Sequence, residues 1–320
     1  MFSEDALSTF ELPEFMVKPA LEACRMYNCS LDALFYDVQT LERALRSHDT
    51  TIVTPVAEEG SLPLRQLDLG ALKNPEGALL VVDTQRAPYI RSFDNVTAFL
   101  GNAEATITAA DVVTITGVGS SALGSAALAW NVAMALKRPV LAIVPGYGVA
   151  DVILQGLGGW FGFGLHDFLK SKSNIQTFLG MVAPRVAAIG RGLSASVPDS
   201  KRLSNGAPVF RTGCGSSDVL HALMQARAFK CVVGHSKGAL SISNALNALP
   251  PESLTGLKIV TFGCPIAEAV EGTDYRQFLG LFDGLGALNA WGNRPESWLA
   301  TDHSTNVSLP LSMDVTRLID

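Results

Sequence analysis

The sequence predicts an α/β fold in which a mostly parallel sheet is flanked by helices. The first observation is a series of short apolar runs that carry few charges and end in Gly, Pro, Ser or Thr, as strands buried on both faces of a sheet do. The second is that helical stretches separate several of these runs, which is typical of a parallel sheet. The third is size, because 320 residues of which 48% are hydrophobic suffice for one large core.

In chain order, a helical N-terminal extension precedes a larger α/β domain. Residues 1–65 form the predicted extension, because apolar side chains from Leu31 to Leu45 recur at helical spacing after Ser30, a residue that suits an N-cap. Residues 66–320 form the predicted domain. Its predicted strands are 77–84, 111–117, 138–148, 207–213, 229–236 and 257–265, and its predicted helices are 121–137, 217–228 and 238–249.

Residues 149–206 interrupt the alternation of strand and helix. This segment is too long for a simple connection and is rich in glycine and large apolar residues. We interpret it as an apolar, lid-like helical insertion over the site. Its aromatic side chains would line a substrate groove or meet a lipid interface, although a subdomain core could use them equally. They are Trp160, Phe161, Phe163 and Phe168.

A serine lies between two glycines where a predicted strand meets a predicted helix. The stretch Gly234-His235-Ser236-Lys237-Gly238 follows an apolar run and precedes a helical one. This is the nucleophile-elbow pattern: glycines allow close packing around a strained turn, and the helix N-terminus stabilises an oxyanion that forms beside the serine. The context predicts Ser236 as a nucleophile. His235, inside the turn, is interpreted as a packing residue.

The stretch GHSKGAL resembles the elbow of the α/β-hydrolase superfamily, where GHSxGG is frequent among lipases and esterases. LKIVTFGCPIA is similar to the strand after the elbow in lipase class 3 relatives. RPVLAIVPGYG resembles the third strand and oxyanion loop of many esterases, with Pro145 in place of their histidine. The resemblance covers about residues 138–320 and implies an α/β-hydrolase fold. The sequence departs from the superfamily pattern in two places. Lys237 stands where lipases usually have Leu, Met or Gln. Residues 111–145 are predicted to form strand, helix and parallel strand, whereas the early strands of the superfamily are antiparallel hairpins.

The superfamily order Ser, then Asp or Glu, then His indicates the base and the acid. His303 is the one histidine after Ser236 and lies in a polar loop, which predicts it as the general base. Asp283 follows a strand-like apolar run twenty residues before that histidine, and we expect it to orient the imidazole. Its rivals are Asp274, Asp302 and Glu268.

Two loops compete to supply an oxyanion donor beside the backbone N–H of Lys237. The loop that contains Gly146 and Tyr147 is preferred, because it is followed, after the insertion, by a fourth predicted strand at 207–213 and a helix that leads to the elbow, which matches the superfamily order. The loop that begins at Gly117 is the alternative.

Composition and motifs limit the other partners. A net charge of −6 without a basic run argues against nucleic acid. The sequence has no Sec-type signal pattern, no apolar stretch of about 18 residues and five scattered cysteines, so we expect a cytoplasmic protein without a transmembrane segment. The absence of P-loop, HExxH and CxxC motifs leads us to expect no cofactor and no metal. The oligomeric state stays open.

These features predict a serine hydrolase that cleaves a carboxylic ester, of the lipase or esterase type. Ser236, His303 and Asp283 would act through an acyl-enzyme on a small-molecule or lipid ester with a hydrophobic acyl group. Two other classes stay open: a non-catalytic binding or scaffold protein on a hydrolase fold, and a thioesterase or acyltransferase.

Overall fold

The computed structural model describes six main stretches of the chain. They are residues 30–47, 77–117, 120–145, 215–268, 272–290 and 292–319. The structure also describes short pieces at 51–52, 62–63, 200–202 and 208–210. It describes isolated helical positions at 19, 23 and between 171 and 179 as well. Most of the predicted insertion therefore lies outside the described residues. So do six predicted site residues: Gly146, Tyr147, Trp160, Phe161, Phe163 and Phe168.

The described N-terminal part is mainly helical, as expected. Residues 30–35 form a helical segment, and after a break at 36–37 the chain continues as α1 (Val38–Ser47), which buries Leu41 and Leu45. A short antiparallel pair follows, β1 (Thr51–Ile52) with β2 (Leu62–Pro63). The domain boundary at residue 65 stays a prediction.

An eight-stranded mixed sheet forms the centre of the fold. Its members in chain order are β3 (Leu79–Val82), β4 (Ile90–Phe93), β5 (Val112–Ile115), β6 (Val140–Ile143), β9 (Cys231–His235), β10 (Lys258–Phe262), β11 (Asp274–Gly280) and β12 (Ser297–Leu299). Across the sheet the order is β12-β11-β10-β9-β5-β6-β3-β4. Only β3 runs antiparallel to its neighbours β4 and β6, and every other pair is parallel. The prediction of an α/β fold with a mostly parallel sheet is confirmed.

Helices cover both faces of the sheet, and each face has its own hydrophobic core. They are α2 (Val96–Leu100), α3 (Ala105–Thr108), α4 (Ala122–Leu136), α5 (Gly215–Ala226), α6 (Lys237–Leu246), α7 (Gly284–Asn289) and α8 (Val315–Leu318), with a 3-10 turn at Pro251–Leu254. Alternate residues of one strand face opposite cores: Leu79 packs with α5 and α6, and Leu80 packs with α1 and α4. Within the described residues, none of these helices is both long and apolar enough to cross a membrane.

The strand count expected from the sequence is wrong in three places, one of which is the edge strand β12 (Ser297–Leu299), which was not predicted. The predicted strand 207–213 contains β8 (Pro208–Phe210), but it pairs antiparallel with β7 (Ser200–Arg202) in a separate two-stranded sheet. The edge strand β4 was not predicted, because its sequence IRSF includes Arg91, which an edge strand can leave partly exposed. As a result β5, and not β6, is the third strand of the main sheet in chain order.

Candidate active site

A strained turn carries Ser236 from the end of β9 to the start of α6. Its backbone has φ +53° and ψ −122°, a conformation that costs a non-glycine residue about 1–3 kcal/mol. The turn is held by two backbone hydrogen bonds: Ser236 N–H donates to the Phe262 carbonyl at 2.9 Å, and its own carbonyl accepts from Ala239 N–H at 3.0 Å. The chain therefore keeps this serine at the carboxyl edge of the sheet, as the elbow pattern predicts.

The two glycines of the motif are required by close packing on both sides of the turn. A Cβ on Gly234 would lie 2.6 Å from Ile242 Cδ1 and 2.7 Å from Ala239 N. A Cβ on Gly238 would lie 2.0 Å from the carbonyl oxygen of Ile115 in β5. Since both contacts lie far inside van der Waals distance, any larger residue would push α6 away from the sheet and move the serine.

Lys237 is the first residue of α6, next to the serine. A residue in this position has no helical acceptor for its N–H, which is therefore available at the positive end of the helix dipole. Its side chain is fully buried, and its Nζ has no hydrogen-bond partner among the described residues. Lys237 thus combines an available backbone donor with a buried cationic side chain.

Asp283 and His303, twenty residues apart, form a buried hydrogen-bonded pair. His303 Nδ1 lies 2.8 Å from each carboxylate oxygen of Asp283. Asp283 is also the N-cap of α7, where its side chain accepts from Gly286 N–H at 2.6 Å. Because a carboxylate accepts, Nδ1 carries the proton of the bond, and Nε2 is left with a lone pair that can take a proton.

The rival acids are engaged elsewhere. Asp274 is exposed at the first residue of β11, at the opposite end of that strand. Asp302 accepts from Ser304 N–H at 2.8 Å in a local turn. Glu268 lies 3.5 Å from the side-chain nitrogen of Gln277. Among the described residues, Asp283 is the one acid that binds the imidazole.

A glycine lies against the acid–base pair. Gly263 follows β10 with φ +68°, a left-handed conformation that favours glycine. A Cβ at this position would lie 2.9 Å from His303 Nδ1 and 3.0 Å from Asp283 Oδ2. The turn after β10 therefore fits around the hydrogen bond between the carboxylate and the imidazole.

The imidazole of His303 lies near the serine turn without bonding to the serine. Its ring centroid is 4.8 Å from that of His235, the residue before Ser236. No hydrogen bond joins the Ser236 hydroxyl to His303, both of which the structure describes. Catalytic hydrogen bonds of this kind are often long in the free protein and shorten when a substrate binds.

The loop after β5 lies against Ser236. A Cβ on Gly117 would be 3.2 Å from Ser236 Cβ and 3.6 Å from its Oγ. This follows from topology, because β5 pairs directly with β9, whereas β6 is one strand further away. The preferred donors, Gly146 and Tyr147, lie outside the described residues and stay a prediction, while position favours the alternative loop at Gly117. Residues 118–119 of that loop lie outside the described residues.

No protein-family model, curated protein or solved structure matches this chain. The resemblance to the α/β-hydrolase superfamily therefore stays a prediction from motifs. Within the described residues, no group of three or more His, Cys, Asp and Glu side chains is placed to hold a metal ion.

His235 is buried as expected, but it does more than pack. Its Nδ1 lies 2.8 Å from the hydroxyl of Tyr36, and its Nε2 lies 2.8 Å from the carbonyl oxygen of His303. Burial, together with the neighbouring His303, lowers the pKa of His235 to about 3. No sequence pattern indicates the contact with Tyr36, since the two residues are 199 positions apart.

The 30–35 helical segment anchors the loop that carries the imidazole. The Phe35 ring meets His303 edge-on, with centroids 5.7 Å apart. Three side chains of the loop donate to consecutive carbonyl groups of the segment, each at 2.8 Å: Asn306 to Ala33, Ser304 to Leu34 and Thr305 to Phe35. The sequence had suggested only a packing role for this helical part, whereas these bonds hold the base-bearing loop in place.

Proposed function

We propose that this chain is a serine hydrolase that cleaves a carboxylic ester, with Ser236 as nucleophile, His303 as general base and acid, and Asp283 as the orienting acid. The observation that carries the proposal is the buried Asp283–His303 pair beside the turn that holds Ser236 at positive φ. A carboxylate, an imidazole and a strained serine at one edge of a sheet are what acyl transfer requires.

The reaction would proceed through an acyl-enzyme. Nε2 of His303 takes the proton from Ser236 Oγ as the oxygen attacks the carbonyl carbon, and Asp283 stabilises the imidazolium that forms. The imidazolium then protonates the leaving alcohol, and the ester C–O bond breaks. A water molecule attacks the acyl-enzyme by the same route, giving its proton to Nε2, and the carboxylic acid leaves as Ser236 recovers its proton.

The oxyanion of each tetrahedral intermediate would form near the start of α6. The Lys237 N–H is the first donor, for it has no helical acceptor and stands at the positive end of the helix. A second donor would come from the loop after β5, which approaches Ser236 at Gly117. Gly117 N–H itself donates to Tyr36, so the donor would be a later residue of that loop.

A hydrophobic acyl group is the substrate class we favour. The apolar sequence of residues 149–206 supports it, and so does a set of exposed apolar side chains in or next to β11, α7 and β12, the elements that flank Asp283 and His303 in the chain. Each is more than half exposed, which is unusual for large apolar residues near a polar site. They are Leu281, Phe282, Leu288 and Trp298.

A fluorophosphonate probe tests the proposal directly. The probe forms a P–O bond with an activated serine and loses fluoride, so the peptide that contains Ser236 should gain the phosphonyl mass. Ser236→Ala should abolish labelling, whereas Ser243→Ala, a buried serine further along α6, should keep it. A folded protein that is never labelled and never turns over an ester would contradict the proposal and favour a binding protein.

Product analysis separates hydrolysis from the related acyl reactions. The protein is given matched oxygen esters and thioesters, in water and with an added alcohol as acyl acceptor. Free acid from the oxygen ester as the main product supports the proposal. A large preference for the thioester, or ester exchange in place of free acid, would reassign the same triad to a thioesterase or an acyltransferase.

A further inference from the structure

We infer that Tyr36 and His235 are positioning residues for the reaction proposed above. They form a relay of three hydrogen bonds that begins at Gly117, beside the nucleophile, and ends at the backbone of His303, the base. The inference rests on the proposed function for its catalytic meaning, while the relay itself is a feature of the fold.

The chemistry of the two ends fixes the direction of every bond. A backbone N–H can only donate, so the Tyr36 hydroxyl accepts from Gly117 at 2.6 Å. A carbonyl oxygen can only accept, so Nε2 of His235 carries a proton and donates to His303 at 2.8 Å. In a neutral imidazole Nδ1 is then an acceptor, and the Tyr36 hydroxyl donates to it at 2.8 Å. The relay satisfies each polar group once, with no donor facing a donor.

Burial keeps the relay in this state. Tyr36 and His235 are 2% and 1% exposed, and their rings meet edge-on with centroids 5.3 Å apart. Burial raises the pKa of Tyr36 and lowers that of His235 to about 3, so both stay neutral at ordinary pH. This matters because the His235 ring lies 4.8 Å from His303, and a charged His235 would repel the imidazolium that catalysis creates there.

The relay complements the bond between Asp283 and His303. Asp283 fixes the imidazole ring of His303, and His235 fixes the backbone of the same residue. At the other end, Tyr36 fixes Gly117, whose Cα faces Ser236. Two parts of the site that are far apart in sequence are thereby held at a set separation. Because a misplacement of about 1 Å can cost 100-fold in rate, the relay would affect turnover more than binding.

Removing one hydroxyl tests the relay. Tyr36→Phe keeps the ring but leaves Gly117 N–H and His235 Nδ1 without their partner. We expect kcat to fall by about 10- to 100-fold with KM changed less than about threefold. Tyr89→Phe is the matched control: it removes a hydroxyl from a ring that packs on Trp130 and takes no part in the three bonds of the relay, and it should leave kcat within about twofold. A folded Tyr36→Phe protein with the kcat of the wild type would overturn the inference.

The tautomer of His235 gives a readout that does not depend on activity. Two-bond ¹H–¹⁵N spectra of the wild type should show His235 protonated at Nε2 and unprotonated at Nδ1, and Tyr36→Phe should shift the Nδ1 resonance. A proton on Nδ1 in the wild type would overturn the relay even if the protein proves to be a hydrolase. The expected tautomer in a protein that turns over no ester would keep the relay and reject only the proposed function.

Two substitutions at His235 keep the test decisive if Tyr36→Phe does not fold. Glutamine can still donate to the His303 carbonyl but offers Tyr36 no equivalent of Nδ1, whereas alanine loses both bonds. If His235 is a positioning residue, the kcat of His235→Gln should be at least about tenfold higher than that of His235→Ala, at similar KM. Equal kcat values in the two folded variants would contradict it.

Discussion

Gly263 meets His303 so closely that a Cβ on the glycine would lie 2.9 Å from the imidazole Nδ1. The same Cβ would lie 3.0 Å from Asp283 Oδ2, the other partner in the bond. The acid–base pair thus depends on a residue that takes no part in the chemistry. Because Gly263 also has φ +68°, both its backbone and its surroundings favour glycine.

We expect Gly263→Ala to lower kcat by more than about 100-fold, because the added methyl group would separate Asp283 from His303. Gly272→Ala is the matched control, since Gly272 has φ +86° and nothing within 4 Å of its Cβ position. In both variants the alanine must adopt a left-handed backbone conformation, which costs about 1–2 kcal/mol. Only the methyl group of Gly263→Ala lies beside Asp283 and His303. Kinetics on a soluble ester, with thermal melting of both variants, measures the difference. Similar kcat values would show that the pair tolerates the methyl group.

Asp283→Asn tests the role of the acid. Asparagine keeps the shape of the side chain but can favour the wrong imidazole tautomer, an effect that reaches about 10⁴-fold in kcat in serine proteases. We expect a loss of more than about 100-fold, against less than about threefold for Asp274→Asn and Asp302→Asn, whose carboxylates do not bind the imidazole. The measurement is kcat for the three proteins on one ester. A larger loss of kcat in Asp302→Asn than in Asp283→Asn would assign the orienting role to Asp302.

The parts of the site that follow from local sequence could be predicted. The elbow is specified by residues that are neighbours in the chain, because a strand, a small residue on each side of the serine and a helix are all visible in order. Asp283 and His303 were predicted to meet from the superfamily order of nucleophile, acid and base along the chain. Their hydrogen bond agrees with the prediction made from chain order.

The parts that depend on distant contacts could not be predicted. Periodicity shows that residues 31–45 are helical, but it does not show that the helix breaks at Tyr36, or that the tyrosine hydroxyl reaches Gly117. The strand β4 was missed because Arg91 made its sequence look like a loop, and β8 was assigned to the main sheet although it pairs with β7. An error in assigning one short segment as strand or loop therefore changes the predicted number and order of the strands in the sheet.

The buried ammonium of Lys237 should lower the stability of the fold. A buried charge without a partner is costly, and Nζ has none among the described residues. We expect Lys237→Met, which keeps the length of the side chain, to raise the free energy of unfolding by about 1–3 kcal/mol. The backbone N–H is unchanged, so ester hydrolysis should persist.

Urea unfolding of Lys237→Met and of Lys230→Met checks this expectation. Lys230 is largely exposed and pairs with Asp111 on the surface, so its substitution should change stability by less than about 1 kcal/mol. A lower free energy of unfolding in Lys237→Met would mean that other groups of the folded chain stabilise the side-chain nitrogen of Lys237.

Asp32 should make stability depend on pH between about 4 and 6. Its carboxylate is buried at the start of α4, where it accepts from Ser121 N–H at 3.0 Å, Ser121 Oγ at 2.6 Å and Gly124 N–H at 3.3 Å. Burial raises the pKa of Asp32 to about 6 in spite of these bonds, from 3.8 for the free side chain. The folded state therefore binds more protons than the unfolded state between these two values, and its stability falls as the pH rises through that window.

Comparison with Asp32→Asn isolates this contribution. The pKa difference of about two units corresponds to about 3 kcal/mol. The stability of Asp32→Asn relative to the wild type should thus rise by most of this amount, about 2–3 kcal/mol, between pH 4 and pH 7, as urea unfolding at each pH would measure. His235, whose lowered pKa gives the opposite dependence, is present in both proteins and cancels in the difference. A constant difference between Asp32→Asn and the wild type would mean that Asp32 ionises as easily in the folded protein as in the unfolded chain.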